Sequence, residues 1–272
     1  MNSQTLGEWL EAEPFTLALS AGFFGFYAHA GLIAALEHSG IAPRRVVGSS
    51  AGAIAGGVWA AGASAAQLQD LLESIELADF WDPSWHELRP VPRLRRRLAG
   101  ESRAHDPGTA LGLLRGRKFD ALLARALAGI ENIEDCQVPF AAVTHELRTN
   151  TPKVQTRGPI RPAIRASAAL PVMFGPVRVG GRLHADGGIS DRPAFSALAS
   201  EERTLYHHLP HKSAWPRPSG DEIGEQQPTT TRQVIVIEGM PRVHPGALER
   251  GRQAFERARE ATLVALDGPL KG

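Results

Sequence analysis

The stretch RVVGSSAGAIAGGVWAAGA, residues 45–63, decides the fold class. Its first three residues have the character of a buried strand, and from Ala53 onward small residues follow one another with helical spacing. Between them lies GSSAG (48–52), which fits the pattern G-x-S-x-G, where the glycines make room for a sharp turn that presents the central serine. The same letters also suit a turn that only packs a helix closely on a sheet. We expect Ser50 at a strand-to-helix turn.

The residues before this stretch repeat the same order of elements. Residues 15–20 are apolar on both faces, as in a buried parallel strand, and residues 27–39 have helical spacing that ends at Gly40. Two strand–helix units in succession imply a right-handed parallel connection. The pattern predicts an α/β fold, a three-layer α/β/α sandwich with a mainly parallel central sheet.

Further elements are predicted from periodicity and turn residues. They are helices over 66–80, 109–130, 161–170 and 247–267, strands over 138–147 and 233–238, and a hairpin-like strand pair over 177–184. Residues 207–231 are polar and contain proline, which predicts a flexible loop. We interpret 1–272 as a single domain, with a motif-bearing core over about 15–195 and a C-terminal loop, strand and helix over 201–272.

Composition and charge exclude several classes of protein. The 272 residues include 28 glycines and 43% hydrophobic residues and carry a net charge of +1. These values suit a globular enzyme, and they argue against a disordered tail or a dedicated nucleic-acid binder. Cys136 is the sole cysteine, so no intrachain disulfide can form, and a cytoplasmic location is expected. The apolar segment 15–36 follows glutamates instead of the positive charges of a signal peptide.

Two further segments carry the groups that a serine nucleophile needs. Asp186-Gly187-Gly188 places a carboxylate on a glycine turn, where it can accept a serine proton, although Asp-Gly is also a common turn dipeptide. The loop AGFFG (21–25) lies between a strand and a helix start, where backbone N–H groups are unpaired and can hold an oxyanion. The same loop could instead only pack its phenylalanines into the core.

Together these segments resemble the patatin-like phospholipases. That family carries, in order, a glycine-rich oxyanion loop, a G-x-S-x-G elbow, an alanine- and serine-rich helix that ends in proline, and D-G-[GA]. The corresponding segments here are LSAGFFGFYAHAG (19–31), GSSAG (48–52), AIRASAALP (163–171) with FGPV (174–177), and DGG (186–188). FAAVTHEL (140–147) is similar to the family's central strand. The resemblance covers about residues 15–195, and four blocks in order are more specific than any one of them.

The resemblance implies a Ser–Asp dyad that cleaves ester bonds of lipids through a covalent acyl-enzyme, as in a phospholipase A or an esterase. The implied site residues are the nucleophile Ser50, the base Asp186, the motif glycines Gly48, Gly52, Gly187 and Gly188, and the backbone oxyanion donors Gly22, Phe23 and Phe24. The family loop usually reads G-G-G-x-[RK]-G. Here the cationic residue is absent, and Phe23 stands where the family has a glycine.

Two other functions stay open. An α/β-hydrolase with a Ser–His–acid triad has its histidine late in the chain, and His207, His208, His211 or His244 can fill that place. The altered loop also allows a degenerate domain that binds lipid or a partner without turnover.

The remaining residues indicate whether a metal, a cofactor, nucleic acid or a membrane is expected as a partner. The spacing of cysteine, histidine and acidic residues matches no metal site, and no phosphate-binding glycine loop is present, so we expect no metal, no cofactor and no nucleic acid. Trp81 and Trp85, followed by five arginines over 89–97, form a basic-aromatic segment. Such a segment suits peripheral contact with a membrane, and it equally suits a solvated loop.

Overall fold

The computed structural model describes residues 4–83, 112–127, 129–210 and 226–270. The described helices are α1 (Leu6–Ala12), α2 (Phe26–His38), α3 (Ala51–Ala60), α4 (Ala65–Glu73), α5 (Arg117–Ala126), α6 (Ile160–Ser167) and α7 (Arg250–Asp267). The strands of the main sheet are β1 (Thr16–Leu19), β2 (Arg45–Ser49), β4 (Phe140–Glu146), β5 (Thr151–Gln155), β7 (Val177–Val179), β8 (Arg182–Asp186), β9 (Thr204–His208) and β10 (Arg232–Val236). A separate pair is formed by β3 (Gly112–Leu114) and β6 (Val172–Phe174).

The main sheet has the strand order β10-β9-β1-β2-β4-β8-β7, with β5 paired to β4. The five strands from β10 to β4 run parallel, whereas β5 and β8 pair antiparallel with β4, and β7 pairs antiparallel with β8. The predicted mainly parallel sheet in a three-layer α/β/α fold is confirmed. Because β1 and β2 are neighbours and run in the same direction, the loop after β1 and the turn after β2 meet at one edge of the sheet.

The two faces of the sheet are covered differently. On one face, strand residues such as Leu19 and Phe140 pack with the described long helices in one large apolar cluster. On the other face, Val47, Ala141 and Tyr206 pack in a smaller cluster that is closed by the segment around Ala194 and Ala197. Side chains of a strand alternate between faces, so the continuous apolar runs in β1, β2 and β4 are explained by burial on both sides.

Several boundaries differ from the sequence predictions. Where the structure describes the helix predicted over 109–130, it has strand β3 followed by α5, since Leu114 pairs in register with Phe174. Residues 207 and 208, predicted to begin a flexible loop, are the buried end of β9. The sequence prediction missed this strand because its side chains are polar. Polar side chains can be buried in a strand where residues far away in sequence supply their hydrogen-bond partners.

Two smaller elements were also missed. Helix α1 is capped by a reciprocal pair of hydrogen bonds between Thr5 and Glu8. A threonine followed three residues later by a glutamate is a helix-start pattern that can be recognised in a sequence. Strand β5 forms a hairpin with β4, and its five residues alternate between exposed and half-buried up to Val154, with none fully buried. No helix among the described residues is both long enough and apolar enough to cross a membrane.

Candidate active site

Ser50 lies at the turn between β2, which ends at Ser49, and α3, which begins at Ala51. Its backbone has φ 51° and ψ −112°, a conformation that residues with a side chain rarely adopt and that costs roughly 1–3 kcal/mol. Its N–H donates to Ser167 Oγ at 2.9 Å, and its carbonyl accepts from Ile54 N–H at 3.1 Å. The strained conformation is therefore held by hydrogen bonds on both sides.

The two glycines of the motif permit backbone contacts that a side chain would block. A Cβ on Gly48 would lie 2.4 Å from the carbonyl of Gly52, and a Cβ on Gly52 would lie 2.2 Å from the carbonyl oxygen of Leu19. Backbone atoms cannot rotate away as a side chain can, so both positions require glycine. The second contact packs the start of α3 against the end of β1, directly before the loop 21–25.

Asp186 is the last residue of β8, and its side chain meets that of Ser50. The Ser50 hydroxyl donates to Asp186 Oδ2 at 2.6 Å, across 136 residues of sequence, while the N–H of Gly188 donates to Oδ1 at 2.8 Å. Gly187 lies so close to β4 that a Cβ there would be 2.2 Å from the carbonyl oxygen of Val143. The glycines after Asp186 therefore let the turn approach β4 and supply a donor that orients the carboxylate.

Burial changes the acidity of this carboxyl group. Asp186 is buried, with an exposed fraction of 3%, and burial raises its pKa from 3.8 to about 6, although the hydrogen bonds from Ser50 and from Gly188 N–H act in the opposite direction. Loss of hydration disfavours the charged form, so the group binds a proton more readily than a free aspartate. Near pH 7 it is still ionised and able to accept a proton, which is the property of a general base.

The loop after β1 presents unpaired backbone donors beside Ser50. The N–H groups of Gly22, Phe23 and Phe24 have no acceptor among the described residues, whereas Gly25 N–H donates to Gly22 carbonyl oxygen at 3.0 Å. Phe24 has φ 53°, an uncommon conformation for a residue with a side chain. All three residues line the same cavity as Ser50. Unpaired N–H groups of this kind can stabilise an oxyanion.

A cavity of about 750 Å³ opens beside the Ser50 hydroxyl. Towards α3, α4 and α5 it is lined by apolar side chains, among them Ile54, Val58, Leu68, Leu72, Phe119 and Leu123. The segment 239–244, including Arg242 and His244, also contributes to its lining. Phe23, Phe24 and Phe26 of the loop also line it. The cavity is large and apolar enough to take a flexible hydrocarbon chain.

The histidines considered for a triad lie elsewhere or make other contacts. His207 and His208 are buried, and their Nδ1 atoms pair with His29 Nδ1 at 2.8 Å and with the Tyr206 hydroxyl at 2.9 Å. Burial lowers the pKa of His29 to about 4 and that of His207 well below its usual value. His244 lines the cavity, but its Nδ1 accepts from Gly246 N–H at 3.2 Å. No histidine within the described ranges is hydrogen-bonded to Ser50, and His211 lies outside those ranges.

Two residues of the site were given no role by the sequence analysis. Ser167, at the end of α6, accepts the N–H of Ser50, and its place in the segment AIRASAALP (163–171) was the signal that could have found it. Arg192 is buried, donates from Nε to the carbonyl of Ala21 at 3.2 Å, and binds the carbonyl of Leu209 with another guanidinium nitrogen. Arg192 thereby anchors the start of the loop 21–25.

In the part of the chain that the structure describes, no three histidine, cysteine or acidic side chains are grouped as metal ligands would be. The groups gathered at Ser50 are a hydroxyl, a carboxylate and unpaired N–H groups, which are the kinds of group that acyl transfer to a serine uses. The basic-aromatic segment predicted from the sequence falls largely within residues 84–111, which lie outside the described residues.

Comparisons with known proteins agree with this geometry. The model of the patatin-like phospholipase family matches residues 17–198, more than half of the chain. Uncharacterized NTE family proteins of Mycobacterium tuberculosis and Mycobacterium bovis are 38% identical over 191 residues, which cover 70% of this chain and 46% of each relative. The chain thus spans about half the length of these relatives. The crystal structure of VipD from Legionella pneumophila has a similar fold, with a TM-score of 0.57, 15% identity, and coverage of 94% of this chain and 67% of VipD.

Proposed function

The chain belongs to the patatin-like phospholipase family, and we propose that it is a serine lipid acyl hydrolase in which Ser50 is the nucleophile and Asp186 its base. The observation that carries this proposal is the 2.6 Å hydrogen bond from the Ser50 hydroxyl to Asp186 Oδ2. A hydroxyl that already donates to a buried carboxylate is poised to lose its proton as it attacks an ester. The reaction class is hydrolysis of a carboxylic ester, as by a phospholipase A or an esterase.

The first half of the reaction forms an acyl-enzyme. Ser50 Oγ attacks the carbonyl carbon of the ester while its proton passes to Asp186 Oδ2, which gives a tetrahedral intermediate with a negative oxygen. We assign the stabilisation of that oxygen to the N–H groups of Gly22, Phe23 and Phe24, which have no acceptor among the described residues and belong to residues that line the same cavity as Ser50. When the intermediate collapses, the bond to the leaving oxygen breaks, and the proton held by Asp186 moves to that oxygen. The alcohol part of the lipid leaves, and the acyl group remains on Ser50.

The second half returns the enzyme to its starting state. Water attacks the acyl carbon and gives its proton to Asp186, which now acts as base for water. Collapse of the second tetrahedral intermediate releases the fatty acid and restores the Ser50 hydroxyl with the proton from Asp186. The same carboxylate thus serves as acceptor and donor in each half, and no histidine is required.

The cavity supports a lipid as the source of the acyl group. Its apolar side between α3, α4 and α5 begins at Ala51 and Ile54, directly beyond the nucleophile. An acyl chain that occupies this side buries its methylene groups, each contributing about 0.8 kcal/mol. Short esters gain little from it, so we expect kcat/KM to rise with acyl length.

Replacement of each dyad residue tests the proposal. We expect Ser50→Ala and Asp186→Asn each to lower ester hydrolysis by orders of magnitude, and the double variant to be barely worse than either single variant, since residues that act as a unit are not additive. Activity and thermal unfolding are measured on the same samples. A folded Asp186→Asn protein with near-normal hydrolysis would contradict the dyad. Labelling of the wild type, but not of Ser50→Ala, by a fluorophosphonate shows whether the nucleophile is activated.

One observation favours a histidine-assisted variant of this function. His244 borders the cavity that contains Ser50, so it is a candidate for that assisting role. In that case His244→Ala would abolish hydrolysis as Ser50→Ala does. In the dyad mechanism we expect His244→Ala to retain most of its kcat, and His38→Ala, at the exposed end of α2, serves as its matched control.

We also propose that the cavity mouth contacts a lipid surface. Val172 is 63% exposed, has φ 70°, and lies between Leu170 and Met173, both of which line the cavity. Leu113, on the neighbouring strand β3, is 51% exposed. We call Leu113 and Val172 the apolar rim of the cavity. A rim of this kind would let an acyl chain pass from the bilayer into the cavity without crossing water.

The rim is tested by changing both residues to serine. We expect Leu113→Ser/Val172→Ser to lose activity on phospholipid vesicles and binding in a vesicle sedimentation assay, while hydrolysis of a soluble short ester is unchanged. Val264→Ser on α7, an exposed valine that does not line the cavity, is the control. Equal binding of the control and the double variant would exclude this surface.

A further inference from the structure

Ser167 is a buried hydroxyl that the proposed reaction does not use. Its Oγ accepts the N–H of Ser50 at 2.9 Å and donates its own proton to the carbonyl of Val143 at 2.6 Å. The Ser167 side chain has no measurable exposure, and its bond to Val143 is buried, whereas its bond to the half-buried Ser50 is partly buried. The hydroxyl thus links the turn that bears the nucleophile to the central strand β4.

The same short segment also holds the other dyad residue. Two positions after Ser167, the carbonyl of Ala169 accepts the backbone N–H of Asp186 at 3.0 Å. The next residue after the base, Gly187, packs against the Val143 carbonyl that receives the Ser167 proton. The end of α6 therefore contacts the backbone of both Ser50 and Asp186, which otherwise belong to different strands.

We infer that Ser167 is a positioning residue, which holds the Ser50 turn at the distance from Asp186 that proton transfer requires. This inference rests on the proposed function. The Ser50 backbone is in a rarely adopted conformation, and such a conformation persists only where its surroundings determine it. Without the Ser167 acceptor, the Ser50 N–H loses the hydrogen bond that ties the turn to α6. The turn can then relax, and the contact between Oγ and Oδ2 lengthens.

The pH dependence of the rate distinguishes a role of Ser167 in proton transfer from a role in folding stability. The hydrogen bond from Ser50 lowers the pKa of Asp186, against the larger effect of burial, which raises it. If Ser50 moves away, that opposing contribution weakens, and the pKa of Asp186 rises further. The acid limb of the pH–rate profile should then move to higher pH, a change that a loss of folding stability alone does not produce.

Ser49 provides a matched control within the same turn. It is also a serine with no measurable exposure, and it lies next to the nucleophile. Unlike Ser167, its hydroxyl has no hydrogen-bond partner among the described residues. Ser49→Ala and Ser167→Ala therefore remove the same atom from the same depth, but only the second removes a bond to the nucleophile turn.

The experiment compares wild type, Ser167→Ala, Ser167→Thr, Ser49→Ala and Ser50→Ala on a soluble ester across pH 4–8. We expect Ser167→Ala to lower kcat by about 10- to 100-fold, as small displacements of reacting groups do, with KM little changed and the acid limb moved upward. We expect Ser49→Ala to match the wild type. Ser167→Thr retains a hydroxyl and should recover most of kcat. If Ser167→Ala does not fold, Ser167→Cys is measured instead. Its side chain is similar in size to that of serine, but its sulfur forms weaker hydrogen bonds than the oxygen does.

The outcomes separate this inference from the proposed function. An inactive wild type, or an active Ser50→Ala, overturns the proposed function. An inactive Ser50→Ala together with a folded Ser167→Ala of normal kcat and unchanged acid limb overturns the positioning role alone. Equal losses of kcat in Ser167→Ala and Ser49→Ala, in proportion to their lowered melting temperatures, would also overturn the positioning role. Ser167 would then contribute only to packing.

Discussion

The turn that bears Ser50 and the loop 21–25 line the same cavity, yet they are built in different ways. Each contains a residue with a side chain at positive φ, Ser50 at 51° and Phe24 at 53°. In the turn, Gly48 and Gly52 face backbone atoms at 2.2–2.4 Å from where a Cβ would lie. In the loop, the atoms closest to a Cβ on Gly22 or Gly25 belong to the side chain of Leu209.

This difference explains which parts of the site follow the family pattern. Backbone packed on backbone leaves no alternative to glycine, so the turn keeps the G-x-S-x-G pattern. In the loop, the nearest neighbour of Gly22 and Gly25 is the Leu209 side chain, which can shift, so the loop can be reshaped and can carry Phe23 where the family has a glycine. As the proposed oxyanion site the loop needs only free N–H groups, and those of Gly22, Phe23 and Phe24 have no acceptor among the described residues.

The largest expected effect is that of Gly52→Ala. The added Cβ would lie 2.2 Å from the Leu19 carbonyl oxygen, so β1 and α3 must separate at a cost of about 1–3 kcal/mol or more. Because the displacement reaches both the nucleophile and the loop, we expect activity to fall by more than about a hundredfold. Chemical denaturation and ester hydrolysis measure the two effects. Gly56→Ala, which would meet side chains of Val46 and Leu19, is the control with milder loss.

The next effect is the pH dependence set by the base. Asp186 must be ionised to accept a proton, and burial raises its pKa to about 6, so kcat/KM should fall about tenfold for each pH unit well below that value. We expect the same acid limb in variants of the loop, such as Phe23→Ala, because they leave the carboxylate untouched. A loop variant with a shifted limb would show that the two regions are electrostatically coupled.

The raised pKa also predicts how stability varies with pH. A carboxyl group whose pKa is higher in the folded state than its ordinary 3.8 stabilises the fold below about pH 4, and this contribution is lost as pH rises through about 6. Asparagine does not titrate. We therefore expect the free energy of unfolding of Asp186→Asn, relative to wild type, to rise between pH 4 and 6 and to level off above. A flat difference across this range would contradict the assigned shift.

A smaller effect is expected from replacing Phe24, an aromatic residue of the loop 21–25 that lines the cavity. Phe24 packs against Phe23, Phe26 and Phe80 at centroid distances of 4.8–5.6 Å and lines the cavity. We expect Phe24→Ala to lower kcat/KM by about tenfold for long acyl chains, as for a lost contact of about 1.4 kcal/mol, and less for short ones. Phe195→Ala on the opposite face of the sheet is the control. Equal losses at every chain length would count against an acyl-binding wall.

The smallest effect tests the claim that the loop rests on a side chain. A Cβ on Gly22 would lie 2.5 Å from Leu209 Cδ1 and 3.2 Å from its Cβ. We expect Gly22→Ala to lower activity a few fold, and the same change in a Leu209→Ala background to have almost no effect. A double-mutant cycle on kcat/KM measures this coupling, expected at about 0.5–1 kcal/mol, the lower part of the range for residues in contact. Additive losses would show that the loop is held by backbone contacts, as the turn is.

The sequence by itself determined the features that depend on neighbours within a few residues. The turn at Ser50, the Asp-Gly-Gly turn and the parallel strand–helix units follow from local sterics and from apolar runs that require burial on both faces. The pairing of Ser50 with Asp186 came from resemblance to a family, and the structure places the two side chains within hydrogen-bond distance.

The tertiary structure alone decided the contacts between residues far apart in the chain. The polar strand β9 is identified by its partners β1 and β10, not by its own pattern. The histidines that sequence left open for a triad proved to be bonded to other groups or, at His211, to lie outside the described residues. The bond of Ser167 to Ser50 spans 117 residues. Such bonds depend on where whole elements pack, and packing is a property of the assembled sheet and its helices.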